Sequence, residues 1–276
     1  MGRRNIAHCE DDFKRLGASS LSVAYRRQDE GSKKTPYTEA IFENVWQVNA
    51  LADADAETLR ISMDTKATVN VGEYSRYGRS RGLEPLRALD HDMRAKEKLV
   101  PGGILEPVSG RSFLFFTGSY KTSDFMVDGL FLWWNERKRE LSFVKRLVVN
   151  MDNGPECSGH RSQFLKRLVG FSDVTGLALR IIYYPPYHSK YNGIERYWAG
   201  LEKSWNGYLL STVSVVLNRA ANFVWKRVQT TVHLLETTYE KGVKVCGKER
   251  ERLEDRLGRS EKLPWYDIAI FPETVY

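Results

Sequence analysis

The stretch Arg146-Leu-Val-Val-Asn-Met-Asp-Asn-Gly154 reads as a strand that runs directly into a turn. Leu147, Val148, Val149 and Met151 supply the apolar run, Asp152 stands where the chain leaves it, and Asn153-Gly154 is a dipeptide suited to tight turns. Leu59-Arg-Ile-Ser-Met-Asp-Thr-Lys-Ala-Thr-Val69 is a second strand-like run, with Asp64 inside it. A lone acid in an apolar strand is costly to bury unless it is paired or bound to metal. Glu195 opens a helix after Tyr184-Pro-Pro-Tyr-His-Ser-Lys-Tyr-Asn-Gly-Ile-Glu-Arg196. If the two strands are neighbours and the helix packs beside them, Asp64, Asp152 and Glu195 converge. Hard divalent cations take such oxygen clusters, and a pair of them can clamp the attacking and leaving oxygens of a phosphodiester. Two plainer readings stand beside this one: Asp152 to Pro155 as an ordinary turn, and Asn192 with Glu195 as a capping box.

Working outward, Thr38 caps a helix from Glu39 to about Ala52, with Ile41, Val45 and Val48 at helical spacing. After the first strand, residues 72–99 are rich in Arg and Tyr and lack periodicity. Two strands at 100–107 and 112–119 turn at Ser109-Gly110. Ser123 caps a helix to about Arg139; the strand at 146–152, a helix at about 162–174 and a strand at 179–184 follow, and another helix starts near Asn192. This order specifies an α/β protein, a mixed sheet flanked by helices, and it is the order of the ribonuclease H-like fold. A mostly helical stretch is expected over about 211–240. The segment from Lys241 to Lys262 alternates Lys and Arg with Glu and Asp; it suits a solvated helix face, with a DNA-backbone contact as the alternative.

The chain has 276 residues and a net charge of +7, the sign expected of a protein that meets a polyanion. Its 42% hydrophobic content suits a folded core and excludes a disordered chain. Three cysteines, Cys9, Cys157 and Cys246, are scattered and odd in number, so no disulfide framework is implied and a reducing cytoplasm is expected. Cys157 and His160 form a Cys-x-x-His pair without further ligands at matching spacing, which argues against a zinc site. With no run of 18 apolar residues, no membrane partner is expected.

Ile61-Ser-Met-Asp-Thr-Lys66, Leu147-Val-Val-Asn-Met-Asp-Asn-Gly-Pro-Glu156, Ser162-Gln-Phe164 and Tyr183-Tyr-Pro-Pro-Tyr-His-Ser-Lys-Tyr-Asn-Gly-Ile-Glu-Arg196 together resemble the DDE transposases of bacterial insertion sequences, in the Rhodopirellula-type (ISAzo-type) branch. The resemblance runs from about residue 36 to near the C-terminus. It implies a ribonuclease H-like catalytic domain over 37–210, with 1–36 as the remnant of an N-terminal DNA-binding region and linker and 211–276 as a helical C-terminal extension. It implies metal-dependent DNA strand cleavage and strand transfer, with two Mg2+ or Mn2+ ions held by Asp64, Asp152 and Glu195. It also implies DNA as partner and a homo-oligomer at work on the bacterial nucleoid. The family usually carries Pro where this chain has Gly193, so the turn before Glu195 is expected to be looser. About 36 residues before the core are too few for the family's helix-turn-helix region, and an N-terminally truncated chain is expected, with DNA recognition supplied by a separate polypeptide as the alternative. A DNA-binding relic without turnover, and a ribonuclease H-like nuclease that cuts without joining, are the alternatives.

Residues suited to DNA contact follow from charge and place. Lys66 lies two residues beyond Asp64 on the same strand face. Arg76, Arg79 and Arg81, interleaved with Tyr74 and Tyr77, suit backbone and stacking contacts. His188 and Lys190 occupy the loop before the Glu195 helix. For each, a solvated or locally packed side chain is the alternative.

Overall fold

The computed structural model describes residues 37–76, 78, 88–89 and 95–273. Among these, nine strands build one sheet. Helix α1 (Thr38–Ala54) leads into β1 (Thr58–Thr65) and the short β2 (Val69–Val71). A hairpin of β3 (Glu97–Leu105) and β4 (Ser112–Thr117) follows, then α2 (Ser123–Arg137), β5 (Arg146–Met151), α3 (Ser162–Thr175) and β6 (Ala178–Tyr183). A 3-10 turn (Ser189–Tyr191) precedes α4 (Gly193–Ser204) and α5 (Val213–Ala221). The C-terminal part adds β7 (Val224–Trp225), β8 (Val228–Gln229), β9 (Thr231–Leu234), α6 (Gly247–Asp255), β10 (Leu257–Arg259) and β11 (Asp267–Ile270).

The sheet order is β10-β11-β6-β5-β1-β3-β4-β9, with β2 paired to β3. β1, β5 and β6 run parallel, whereas β3 and β4 form an antiparallel meander off β1. This is the ribonuclease H-like arrangement the element order called for. β5 carries apolar residues at consecutive positions because both of its faces are covered. Leu147, Val149 and Met151 pack with Ile61 and Met63 of β1 and with Leu179, Ile181 and Tyr183 of β6 against α2 and α3. Val148 and Ile182 face the other way, onto Ile41, Val45 and Val48 of α1. On that second side, farther along the sheet, Leu105, Leu114 and Phe116 pack against Ile194, Tyr197, Trp198 and Leu201 of α4.

Local signals placed the elements with small corrections. Thr122, not Ser123, caps α2, its side chain accepting from the Phe125 N–H at 3.2 Å. Ser123 Oγ donates instead to the Glu156 carbonyl at 2.6 Å and ties α2 to the loop after β5. The hairpin turns at Gly110 with φ +76°, and buried Glu106 at its base pairs with Arg137 of α2 at 3.0 Å. The stretch read as helical over about 211–240 is helical only over Val213–Ala221. Beyond it, β7 and β8 turn through Lys226 and Arg227, both with positive φ, and β9 joins β4 in parallel. Strands from 211–276 thus extend both edges of the sheet, β9 on one side and β11 on the other. Of the alternating charges beyond Lys241, Glu249 pairs with Lys166, Arg256 with Asp173 and Arg259 with Glu254, and Lys248, Arg250 and Arg252 are exposed, as on a solvated face.

The Phe115 ring is fully buried and stands where a Cβ on either Gly102 of β3 or Gly129 of α2 would collide with it. An exposed helical Gly→Ala change gains about 1 kcal/mol. Here overpacking of about 1–3 kcal/mol opposes that gain. Gly129→Ala is therefore expected to lower stability by about 1 kcal/mol in urea unfolding; a stabilised variant would show that α2 does not clasp Phe115 in this way.

Candidate active site

Three backbone features bring the acids together. The parallel register pairs Ile61 with Val149 and Met63 with Met151, so Asp64 and Asp152 come next in step at the ends of adjacent strands. Side chains alternate along a strand. With Ile61 and Met63 buried against α2 and α3, Ser62 and Asp64 face α4. Glu195 lies in the first turn of α4, and the N–H of neighbouring Ile194 donates to Ser62 Oγ at 3.0 Å. All three acids are half-buried.

The frame around them is hydrogen-bonded. Asn192 donates its amide to Asp152 Oδ1 at 3.2 Å, and its carbonyl oxygen accepts from Ser62 Oγ. The Asn192 side chain makes no cap bond to α4, so its polar atoms serve the carboxylate side and not the capping box. Trp198, one turn after Glu195, donates its indole N–H to Asp64 Oδ2 at 3.1 Å. The loop after Asp152 is pinned by Cys157, whose thiol donates to the Asp152 carbonyl at 3.3 Å and whose own carbonyl accepts from Tyr183 Oη at 2.6 Å. Burial pushes the Cys157 thiol up to about 12, which keeps it a neutral packing group. His160 stacks on Trp265 with ring centroids 3.9 Å apart.

Electrostatics mark the same spot. Burial, reinforced by the charges of Asp152 and Glu195, raises the Asp64 carboxyl to about 7, against the pull of the Thr65 amide and Trp198. Burial, with the charge of Glu195, raises Asp152 to about 6, while the Asn192 hydrogen bond acts the other way. Like charges gathered in a half-buried place favour neutralisation by protons or by a cation. Among the described residues, no group of three or more His, Cys, Asp or Glu side chains stands close enough together to hold a metal ion as it is placed. The acids are instead electrostatic neighbours on a rigid frame. An all-oxygen donor set of this charge suits a hard cation that keeps several waters, and the residues fit Mg2+ or Mn2+ on those grounds.

The other expected contact residues fall around this centre. Lys66 pairs with Glu202 of α4 at 2.5 Å, and Arg76 pairs with the same carboxylate at 3.0 Å while lying 5.4 Å from the Trp205 ring centre. Lys190 is exposed beside Tyr191. His188 is buried, its ring edge-on to Phe42 and its Nδ1 2.7 Å from the Pro186 carbonyl, so loop packing accounts for it. Arg79, Arg81 and Tyr77 lie outside the described residues. A Cβ at Gly193 would meet only ordinary contacts, with Ser62 Oγ nearest at 3.8 Å, and its φ is not positive. Trp198, Ser62 and Gly103 did not stand out in sequence; the readable signal was Trp198 at helical spacing from Glu195.

The family described as Rhodopirellula transposase DDE domain matches residues 10–272. No curated protein matches the chain. Among solved structures, a Mos1 transposase paired-end complex with left transposon end is similar at 8% identity and a TM-score of 0.49, over 76% of this chain and 60% of that one. A Mos1 mariner paired-end complex with Mn is similar at 9% identity, TM-score 0.49 and the same coverage. A Mos1 strand transfer complex is similar at 10% identity and TM-score 0.44, over 76% and 59%. The chain therefore spans about 60% of the length of these structures.

Both aspartates hold their protons more tightly folded than unfolded, since each folded value lies above the ordinary 3.8. Their contribution is stabilising below about pH 4 and is lost as pH rises through about 6 and then about 7. In chelator, the wild-type unfolding free energy is expected to fall between pH 5 and pH 8 by about 1–3 kcal/mol more than that of Asp64→Asn. Parallel pH profiles for the two proteins would show that Asp64 is not under this strain.

Proposed function

The chain belongs to the family of Rhodopirellula transposase DDE domains, and on that premise we propose that it cleaves DNA strands and transfers them, moving an insertion sequence with the help of Mg2+ or Mn2+. The observation that carries the proposal is the juxtaposition of Asp64 and Asp152 on one face of adjacent parallel strands, with Glu195 on the facing helix and both aspartates held above the ordinary carboxylate range. Asp64, Asp152 and Glu195 are the residues that would hold the metal. When bound, a divalent cation there supplies Lewis-acid polarisation of the scissile phosphate and lowers the proton affinity of the attacking hydroxyl.

The chain's own groups account for the rest of the chemistry. Asp64, on β1, stands beside the end of β5 and accepts from Trp198 of α4, so it can serve both sides of the centre. Asp152 ends its strand and Glu195 begins its helix, so each carboxylate is carried by an element that the core already fixes. Ile194 and Trp198 pack over Gly103, the residue opposite Asp64, and set an apolar face beside the centre. Lys66 and Arg76 share Glu202, so a DNA phosphate arriving beside the site would compete with that carboxylate for them. Lys190, Arg79 and Arg81 are further candidates for backbone contact, which gives affinity without base preference. His188 holds its loop. Joining two element ends calls for at least two copies, so a homo-oligomer acting on nucleoid DNA in the cytoplasm completes the proposal. Among the described residues, no helix is long and apolar enough to cross a membrane.

The test is Mg2+-dependent nicking of element-end DNA, together with strand transfer from pre-cleaved ends. Asp152→Asn is expected to lower both by at least about 10²-fold, since several kcal/mol of metal-dependent stabilisation is removed. DNA binding should change little. Equal nicking by the variant would contradict the site; DNA binding without any nicking by the wild-type chain would favour the relic; nicking without joining would favour the nuclease.

A further inference from the structure

The two aspartates are gripped by side chains that both belong to the start of α4. Trp198 holds Oδ2 of Asp64, and Asn192, at the N-cap position but with its side chain turned away from the helix N–H groups, holds Oδ1 of Asp152. Neither grip is incidental to packing. The indole of Trp198 lies over Gly103, the β3 residue directly opposite Asp64 in the antiparallel register. A Cβ at Gly103 would come within 2.7 Å of Trp198 Cη2 and 2.8 Å of Cζ2. The φ of Gly103 is not positive, so the backbone does not demand glycine there. What the missing side chain provides is room for the indole to reach Asp64. Asn192 is held in turn: it is fully buried, and Ser62 Oγ donates to its carbonyl while accepting from the Ile194 N–H. Its amide is thereby aimed at Asp152.

Resting on the metal site proposed above, we propose that Trp198 and Asn192 are positioning residues that commit one oxygen of each aspartate to the protein and so select a small six-coordinate cation over Ca2+. The reason lies in coordination. Mg2+ takes single oxygens in a near-octahedral shell and keeps several waters, whereas Ca2+ takes six to eight oxygens and favours carboxylates that chelate through both. An aspartate with one oxygen tied to a protein donor offers one oxygen to the cation and chelates poorly. Gly103 belongs to the same device through the space it leaves, and Ser62 through the orientation it gives Asn192. Partners of this kind commonly change metal affinity by about 10–100-fold.

The experiment measures Mn2+ binding to the full chain by electron paramagnetic resonance, with Ca2+ as competitor, for wild type, Trp198→Phe, Gly103→Ala and Asp64→Asn. Circular dichroism checks folding of each. Trp198→Phe removes the donor but keeps an aromatic ring, and Gly103→Ala keeps the indole and every carboxylate while displacing the ring. Both are expected to weaken Mn2+ about tenfold and to let Ca2+ compete at least about threefold better relative to Mn2+. If Asp64→Asn abolishes binding but the Mn2+-to-Ca2+ ratio is unchanged in both other variants, the positioning role is wrong and the metal site stands. Mn2+ binding indifferent to Asp64→Asn would overturn the metal site, and this inference with it.

Discussion

The parallel pairing of β1 with β5 is the constraint on which the rest of the molecule depends. Its register is set by burial: Ile61, Met63, Leu147, Val149 and Met151 must all face α2 and α3. Because side chains alternate with a period of two, a slip of one residue would turn this whole set to the wrong face. The same alternation presents Ser62, Asp64 and Asp152 to α4. The apolar core therefore determines where the acids stand, and they need no mutual attraction to assemble. At an unscreened spacing they repel, and the core supplies the free energy that holds them together.

That division of labour explains the electrostatics. Asp64 and Asp152 are raised above the ordinary carboxylate range because they are half-buried beside like charges, and their hydrogen bonds to Trp198 and Asn192 only partly offset this. A frame that stores repulsion in its metal-free state is suited to a cation that relieves it. Beside the centre Lys66 and Arg76 share the single Glu202 carboxylate, which leaves one net positive charge on that flank next to the acidic middle. The helix α4 links the two zones: Glu195 and Trp198 lie in its first half, Glu202 in its second.

Much of this was legible in the sequence because the signals were local. β5, α3 and β6 fall within a residue or so of their expected limits, since apolar runs bounded by Asp-Asn-Gly and by Pro-Pro leave little freedom. The three acids were singled out by local setting as well, Asp152 and Glu195 where a strand ends and a helix begins, and Asp64 as a lone acid within an apolar strand. The misses are non-local or lack a marker. β9 owes its existence to pairing with β4, more than 100 residues earlier, and the β7–β8 turn passes through Lys226 and Arg227 without the Gly or Asn that would announce it. The reach of Trp198 over Gly103 to Asp64 joins three elements far apart in the chain, and no spacing rule connects them.

The central claim is that Asp64, Asp152 and Glu195 form one divalent-cation site. Anomalous scattering from crystals grown with Mn2+ tests it most directly. The account predicts a manganese peak within about 2.0–2.6 Å of carboxylate oxygens of both Asp64 and Asp152, with Glu195 in the same cluster. Full manganese occupancy elsewhere on the chain, with these three carboxylates bare, would contradict it.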